Sequence, residues 1–255
     1  TMGYTAAALS FMLEDLPRPV VLVGAQRSSD RPSSDAYSNL LSAARFVVES
    51  DAAETFLLMH EGPADLSTLV HRGTRARKMH TSRRDAFKSI NAPPVARVHF
   101  EGGIEYLAPY RKKSSSRVRL RTEMVPEVAL VAFYPGMSAE KFERVFLEHR
   151  GVVVAGSGLG HVSADLVEVV KRAVSSGVSV VMTSQCLSGS VNLKVYDTGR
   201  DLLSAGVIPG GDMLPETAYV KLMWVLAQAR SEEEVAGMML KDFRGEISDR
   251  RELDG

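Results

Sequence analysis

The chain has 255 residues, 31 basic and 31 acidic side chains and 45% hydrophobic residues, a globular composition that excludes disorder, a uniformly basic nucleic-acid coat and an acidic tail protein. One cysteine, Cys186, allows neither an internal disulfide nor a cysteine-based zinc site. No apolar run approaches the roughly 20 residues needed to cross a bilayer and no signal-type segment opens the sequence, so a soluble cytoplasmic protein of one or two domains is expected.

Ala6, Leu9, Leu13 and Leu16, with Met12 alongside, recur at helical spacing from the start, and Thr1 or Thr5 is placed to cap the first turn. A domain that opens on a helix cap reads as cut on its upstream side. Pro19 to Gly24 is a short β-branched run with turn residues at both ends, read as a buried strand of a parallel sheet. A polar loop from Gln26 to Asp35 follows. Next come a helix over about Asp35–Ser50, with Leu40, Leu41, Ala44 and Val47 on one face, and a strand at Phe56–Met59. This alternation predicts a layered α/β domain.

From about residue 65 to 122 the texture changes to antiparallel hairpins, with Ala96–Phe100 turning at Gly102-Gly103 into Ile104–Leu107. Arg111 to Arg117 is charged, serine-rich and aperiodic, and reads as a linker. The second half returns to strands at Val128–Phe133, Gly151–Ala155 and Val178–Thr183. Helices are predicted at Ser138–His149 and Asp165–Val174, then one after Pro215-Glu216 and one capped by Ser231 with Glu234. Phe243 to Gly255 is expected to fray.

The neutral total hides an asymmetry. Residues 71–122 hold fourteen Arg or Lys against three acids, leaving seventeen basic and twenty-eight acidic groups elsewhere. Such a segment suits an anion or nucleic acid; its simpler reading is a solvated hairpin and linker, or a face for an acidic partner. Reversing Arg111, Lys112 and Lys113 would weaken nucleic-acid binding and flatten its salt dependence if the contact exists.

In open α/β sheets ligands sit beyond the carboxyl ends of strands, here Gly24-Ala25-Gln26, Gly156-Ser157-Gly158 and Thr183-Ser184-Gln185-Cys186. The GSGLG turn from Gly156 lacks the dinucleotide fingerprint. Cys186 as a nucleophile would need a nearby histidine, and a small core residue is the simpler reading. The six histidines show no metal-binding spacing. Lys78 stands out, crowded by Arg75 and Arg77 and followed by Thr81 and Ser82. Neighbouring positive charge disfavours an ammonium, so this amine could relay a proton from a hydroxyl nucleophile; alternatively it is a surface lysine in a basic hairpin.

These stretches resemble the bacterial-type L-asparaginases. Thr1-Met2-Gly3-Tyr4-Thr5-Ala6-Ala7-Ala8-Leu9 is similar to the segment after that family's histidine-glycine-threonine-aspartate motif. Pro19 to Gln26 with Ser34 to Leu40 is similar to its next strand, loop and helix start, and Lys78 with Thr81 and Phe87-Lys88-Ser89 to its lysine motif. Gln26–Asp35, Gly156–Val162 and Asp212–Thr217 look most like one branch, the D subunits of archaeal glutamyl-tRNA(Gln) amidotransferases.

The resemblance implies two layered α/β domains of the asparaginase type. Residues 1–110 would be the C-terminal part of the N-terminal domain, truncated at its N-terminal side. Residues 111–126 would be a basic linker, 127–240 the smaller C-terminal domain and 241–255 a charged tail. It implies amide hydrolysis by a threonine nucleophile through an acyl-enzyme, at a site on a subunit interface. By position Lys78 matches the catalytic lysine, Ala25 a residue whose backbone carbonyl faces the substrate, and His161 a position the neighbouring subunit contributes. Glutamine would be the amide donor, in a homodimer that passes ammonia to a synthetase-like E subunit. That partner would amidate glutamate on tRNA with ATP and Mg, while this chain binds no cofactor or metal. The family's primary threonine and its threonine-aspartate pair precede the position of Thr1, so the expectation is an inactive piece of an active enzyme. A free-standing L-asparaginase and an inactive binding scaffold are the alternatives.

Overall fold

The computed structural model describes residues 1–248, which divide into a unit ending at Arg121 and a unit beginning at Thr122. The first unit comprises α1 (Met2–Met12), β1 (Leu13–Glu14), β2 (Val20–Val23), α2 (Ala36–Glu49), β3 (Thr55–His60), β4 (Ser67–Arg72), β5 (Ala76–Lys78), β6 (Phe87–Ser89), β7 (Ala96–His99), β8 (Ile104–Tyr106) and β9 (Arg119–Leu120). Its main sheet has the order β2-β3-β4-β7-β8. Only β2 and β3 run parallel, with Leu22 opposite Leu57; the other pairs are antiparallel. The strand at Pro19–Gly24 runs parallel to its neighbour, but it is a half-buried edge of a mixed sheet rather than a buried strand of a parallel one.

β3 is buried along its whole length because both faces are covered. Leu57 and Met59 pack with Ala6 of α1, while Phe56 and Leu58 pack with Ala43 and Phe46 of α2. The Phe46 and Phe56 rings meet edge to face at 5.3 Å. α1 stops at Met12, short of Leu13 and Leu16, and Asp15 adopts φ 55°, which no helix accommodates. Thr1 is its N-cap without a side-chain bond; Thr5 Oγ1 instead donates to the Thr1 carbonyl.

The orientation of α2 departs from the sequence reading. Asn39, Ser42, Ala43 and Phe46 face inward, and Leu40, Leu41, Ala44 and Val47 are exposed. Small inward residues let the helix lie close to the sheet, and Phe46 fills the space that remains.

Residues 111–113 are held rather than loose. Arg111 Nη2 donates to the Ala53 carbonyl at 2.7 Å, its backbone NH donates to Glu54 at 2.7 Å, and Lys112 bridges to Ala52. Further on, β9 pairs antiparallel with β1.

The second unit comprises β10 (Val128–Ala132), α3 (Ala139–Leu147), β11 (Gly151–Gly156), α4 (Ala164–Ser175), β12 (Ser179–Ser184), α5 (Asp197–Ser204), β13 (Ile208–Pro209), α6 (Pro215–Gln228) and α7 (Glu232–Leu240). β10 to β13 form an all-parallel sheet in sequence order. Val152, Val154, Val180 and Met182 pack with Phe142, Phe146, Leu166 and Val170 of α3 and α4. The alternating Val153 and Val181 are equally buried on the other face, where α6 lies. A side chain at Gly151 would meet Leu222 of α6 at 2.8 Å, so that glycine allows the close approach.

Phe243 to Ser248 do not fray. The Phe243 ring packs on Trp224 at 5.5 Å, and the fully buried Glu246 pairs with the fully buried Lys221 at 2.7 Å. The Glu246 carboxylate also accepts from the backbone NH groups of Phe243 and Arg244, so the segment satisfies a cation that would otherwise be stranded in the core. The rest of the expected tail, residues 249–255, lies outside the described residues.

Candidate active site

At the carboxyl end of β2 the chain turns through Gly24-Ala25-Gln26 into the loop that leads to α2. That loop is organised by buried Asp35, the helix's N-cap residue. Its carboxylate accepts from the backbone NH of Gln26 at 3.0 Å and of Arg27 at 2.9 Å. One turn on, Asn39 Nδ2 donates to the Gly24 carbonyl at 2.9 Å and to Asp35 Oδ2 at 3.0 Å. The groups on both sides of Ala25 are thus fixed, and Ala25 is presented at the surface.

The network continues outward. Asn39 Oδ1 meets His60 Nδ1 at 2.6 Å, His60 Nε2 meets Asp65 at 3.1 Å, and Arg84 joins Asp65 at 2.7 Å to the Ser33 carbonyl at 2.5 Å. The hydrogen bond from His60, and then the charge of Arg84, hold the Asp65 carboxyl below its ordinary range. The start of the loop, its end and the end of β3 become one hydrogen-bonded body.

Lys78 closes β5, which pairs with β6 so that Lys78 lies opposite Phe87. The turn beyond it is shaped by His80 Nδ1, which accepts from the backbone NH of Ser82 and Arg83. Asp85 braces the turn by bonding Arg83 and Lys88. Burial pushes the Asp85 carboxyl up, but Lys88 and Arg83 outweigh it and leave it below the usual value. Behind the hairpin, His71 is buried with Nδ1 2.8 Å from Ser89 Oγ, and burial, then the Lys88 charge, lowers its pKa to about 3.

The amino end of α1 lies between these two elements. A side chain at Gly3 would come within 3.0 Å of the Ala76 carbonyl, and one at Gly24 within 3.2 Å of Met2 Sδ. Lys78 lies two residues past Ala76, about 7 Å along the strand, and Ala25 lies one residue past Gly24. The first unit therefore brings Lys78, Ala25 and the amino end of α1 to one side. The Lys78 side chain is exposed.

The pairing of the two domains has a counterpart in known proteins. The profile described as asparaginase, N-terminal, matches residues 1–111, and the glutaminase/asparaginase C-terminal domain matches residues 127–239. The chain belongs to the glutaminase/asparaginase family. It is 59% identical over 250 residues to the D subunit of glutamyl-tRNA(Gln) amidotransferase from Pyrococcus furiosus, covering 97% of this chain and 57% of that one. Against the protein of the same name in Thermofilum pendens it is 49% identical, covering 100% and 57%. The chain thus spans somewhat over half the length of these relatives. Among solved structures it superposes on the thermostable L-asparaginase of Thermococcus kodakarensis with TM-score 0.89 at 34% identity, covering 98% of this chain and 74% of that one. For L-asparaginase I of Vibrio cholerae the values are 0.85 and 34%, covering 97% and 74%.

Within this asparaginase-family chain, His161 belongs to the second unit, whereas Lys78 and Ala25 belong to the first. It ends the turn 157–161, its ring edge to face with Tyr196 at 4.9 Å. Both ring nitrogens are shielded from solvent without a hydrogen-bond partner among the described residues, and burial lowers its pKa. Cys186 is exposed on the loop after β12, not the small core residue that was the simpler reading of it.

The basic middle of the chain is partly neutralised. Arg72 pairs with Glu54, Arg84 with Asp65, Arg97 with Glu61, Lys112 with Asp51, and Arg119 and Arg121 with Glu14. Those acids lie outside residues 71–122, so folding offsets about half of the local charge excess. Asp35, Asn39, His60 and Arg84 were missed as site residues. Their one sequence signal is the Asp–Asn pair four residues apart at a helix start, which sets both side chains on one face.

Proposed function

We propose that this chain carries most of the glutaminase subunit of a tRNA-dependent amidotransferase, as the names of its amidotransferase relatives suggest. The observation that carries the reading is the convergence of Lys78, the clamped Ala25 turn and the amino end of α1. A threonine hydroxyl, supplied by chain preceding Thr1, attacks the carboxamide carbon of glutamine. The hydroxyl proton is relayed through Lys78 to the departing nitrogen. The C–N bond breaks, ammonia leaves, and water then cleaves the acyl ester to give glutamate and free threonine. The Ala25 carbonyl orients the substrate's polar atoms, and His161 is contributed to the neighbouring protomer's pocket in a homodimer. Ammonia is consumed by a synthetase-like E subunit that holds ATP, Mg and tRNA, while this chain binds no cofactor. Among the described residues no helix is long and apolar enough to cross a membrane, and the cytoplasmic site of action belongs to the same proposal.

The fit to the Thermococcus L-asparaginase supports a second reading, a free-standing asparaginase. Kinetics of the full-length protein separate the two, because asparagine hydrolysis without partner or tRNA rejects the first. Lys78→Met in that protein is expected to lower glutamine hydrolysis about 10²- to 10⁴-fold with an unchanged melting temperature. Undiminished hydrolysis removes Lys78 from the mechanism, and partner binding with no hydrolysis in either protein leaves a scaffold.

A further inference from the structure

The turn between β5 and β6 is one piece with Lys78. The Met79 NH donates to the Ala86 carbonyl at 2.6 Å, directly beyond the rung in which Lys78 faces Phe87. From this turn Arg84 reaches across the fold. Its Nη1 bonds Asp65 Oδ1 at 2.7 Å, and its Nη2 donates to the Ser33 carbonyl at 2.5 Å. Among the described residues, every other hydrogen bond of residues 26–35 stays within that loop or goes to α2. One guanidinium is therefore the hydrogen-bonded tie between the loop that follows Ala25 and the turn that follows Lys78.

We propose that Arg84 is a positioning residue that sets the gap between the Ala25 turn and Lys78, and so the length of amide substrate that is aligned for reaction. The inference rests on the glutaminase reading, in which the Ala25 carbonyl orients the substrate and Lys78 moves the proton. The side chain suits the task. The Ser33 carbonyl and the Asp65 carboxylate only accept, so the tie needs two donors on one rigid group, which the planar fork supplies. The Asp65 side chain is 65% exposed and that of Arg84 12%. Water screens this ion pair, which adds little to stability; it fixes the direction in which the fork points. Asp65 is steadied by His60 Nε2 at 3.1 Å, and His60 Nδ1 meets Asn39, whose Nδ2 holds the Gly24 carbonyl. Arg84 thus reaches the loop by two routes, at Ser33 near its end and at Gly24 just before Ala25.

The test compares the full-length parent with Arg84→Met and Arg84→Lys. Methionine keeps an unbranched stem and no donor, whereas lysine keeps the charge beside Asp65 but puts one nitrogen where the fork has two. Amide hydrogen exchange across residues 26–35 is expected to quicken about tenfold in Arg84→Met. In both variants kcat/KM for glutamine is expected to fall about 10- to 100-fold, the effect of a shift near 1 Å. The preference for glutamine over asparagine should fall about fivefold or more, since one methylene is worth about 10- to 200-fold in a fitted site. A partly unfolded enzyme loses both amides in the same proportion, so the preference reads position rather than folding. Arg84→Lys is expected to show this loss at the parental melting temperature. With a parent that hydrolyses glutamine, unchanged exchange in residues 26–35 or an unchanged preference in both variants overturns the proposal and leaves the glutaminase reading standing. A parent that does not hydrolyse glutamine overturns both.

Discussion

Removing the Asp35 carboxylate tests whether the loop before α2 is held by the network described above. In Asp35→Ala the backbone NH groups of Gln26 and Arg27 lose their shared acceptor, and Asn39 Nδ2 keeps the Gly24 carbonyl and the Met59 sulfur. Gln26 is half-buried and Arg27 exposed, so water replaces part of what is lost. Each bond to a charged acceptor contributes about 1.5–3 kcal/mol when buried, and solvent access reduces the pair to a total of about 2 kcal/mol. For a unit of this size that corresponds to a fall of roughly 6–10 °C in melting temperature. Asp35→Asn keeps one acceptor oxygen and should lose about half as much. Calorimetry on the full-length protein measures both variants, and glutamine kinetics reads the turn itself, with KM expected to rise as Ala25 loses its clamps. A melting temperature within a degree of the parent for Asp35→Ala, with unchanged KM, refutes the idea that this carboxylate organises the site.

His71 gives a pH dependence with a definite sign. Its folded pKa, about 3, lies below the ordinary 6.5, so its contribution is fully present above pH 6.5 and is lost as pH falls toward 3. His71→Gln should flatten that part of a melting-temperature profile, and an unchanged slope counts against it. Glu246→Gln removes the carboxylate paired with the buried Lys221 ammonium, leaving it the Met239 and Lys241 carbonyls and Asp242 as its remaining acidic neighbour, and should cost about 3 kcal/mol, read by denaturant unfolding; a loss under 1 kcal/mol contradicts the burial argument. Burial alone would raise the Glu246 carboxyl, but Lys221 holds it below 4.5, so the parent's advantage over the variant should persist at neutral pH and vanish under acid. Arg111 and Lys112 are engaged within the chain, so reversing them with Lys113 should leave the salt slope of tRNA binding by the full complex unchanged. A slope smaller by two or three would restore the tRNA contact.

The layered α/β class and most elements were legible because a short continuous apolar run such as Gly151–Gly156 and an amphipathic helix such as Ala164–Ser175 carry a local pattern. The face of α2 was not. Periodicity reveals that apolar residues share a side of the helix, but which side meets the sheet depended on Asn39 reaching Gly24 and His60. The short elements α5 and β13 lack a pattern long enough to read. Charge was misleading for a similar reason, since Arg84 and Asp65, or Arg119 and Glu14, meet only after folding. Of the site, Lys78 stood out by its cationic neighbours and its motif, whereas the Asp35 network joins segments up to 51 residues apart and leaves only the Asp35–Asn39 spacing as a local trace.

The packing of Glu246 on Lys221 bears on how this protein should be cut for expression. The similarity to the C-terminal domain profile stops at residue 239, which invites a boundary there. Cloning to that boundary would discard the carboxylate paired with the Lys221 amine and, with Phe243, the aromatic lid over Trp224. A shortened product that precipitates would then report a missing counter-ion rather than an unstable fold.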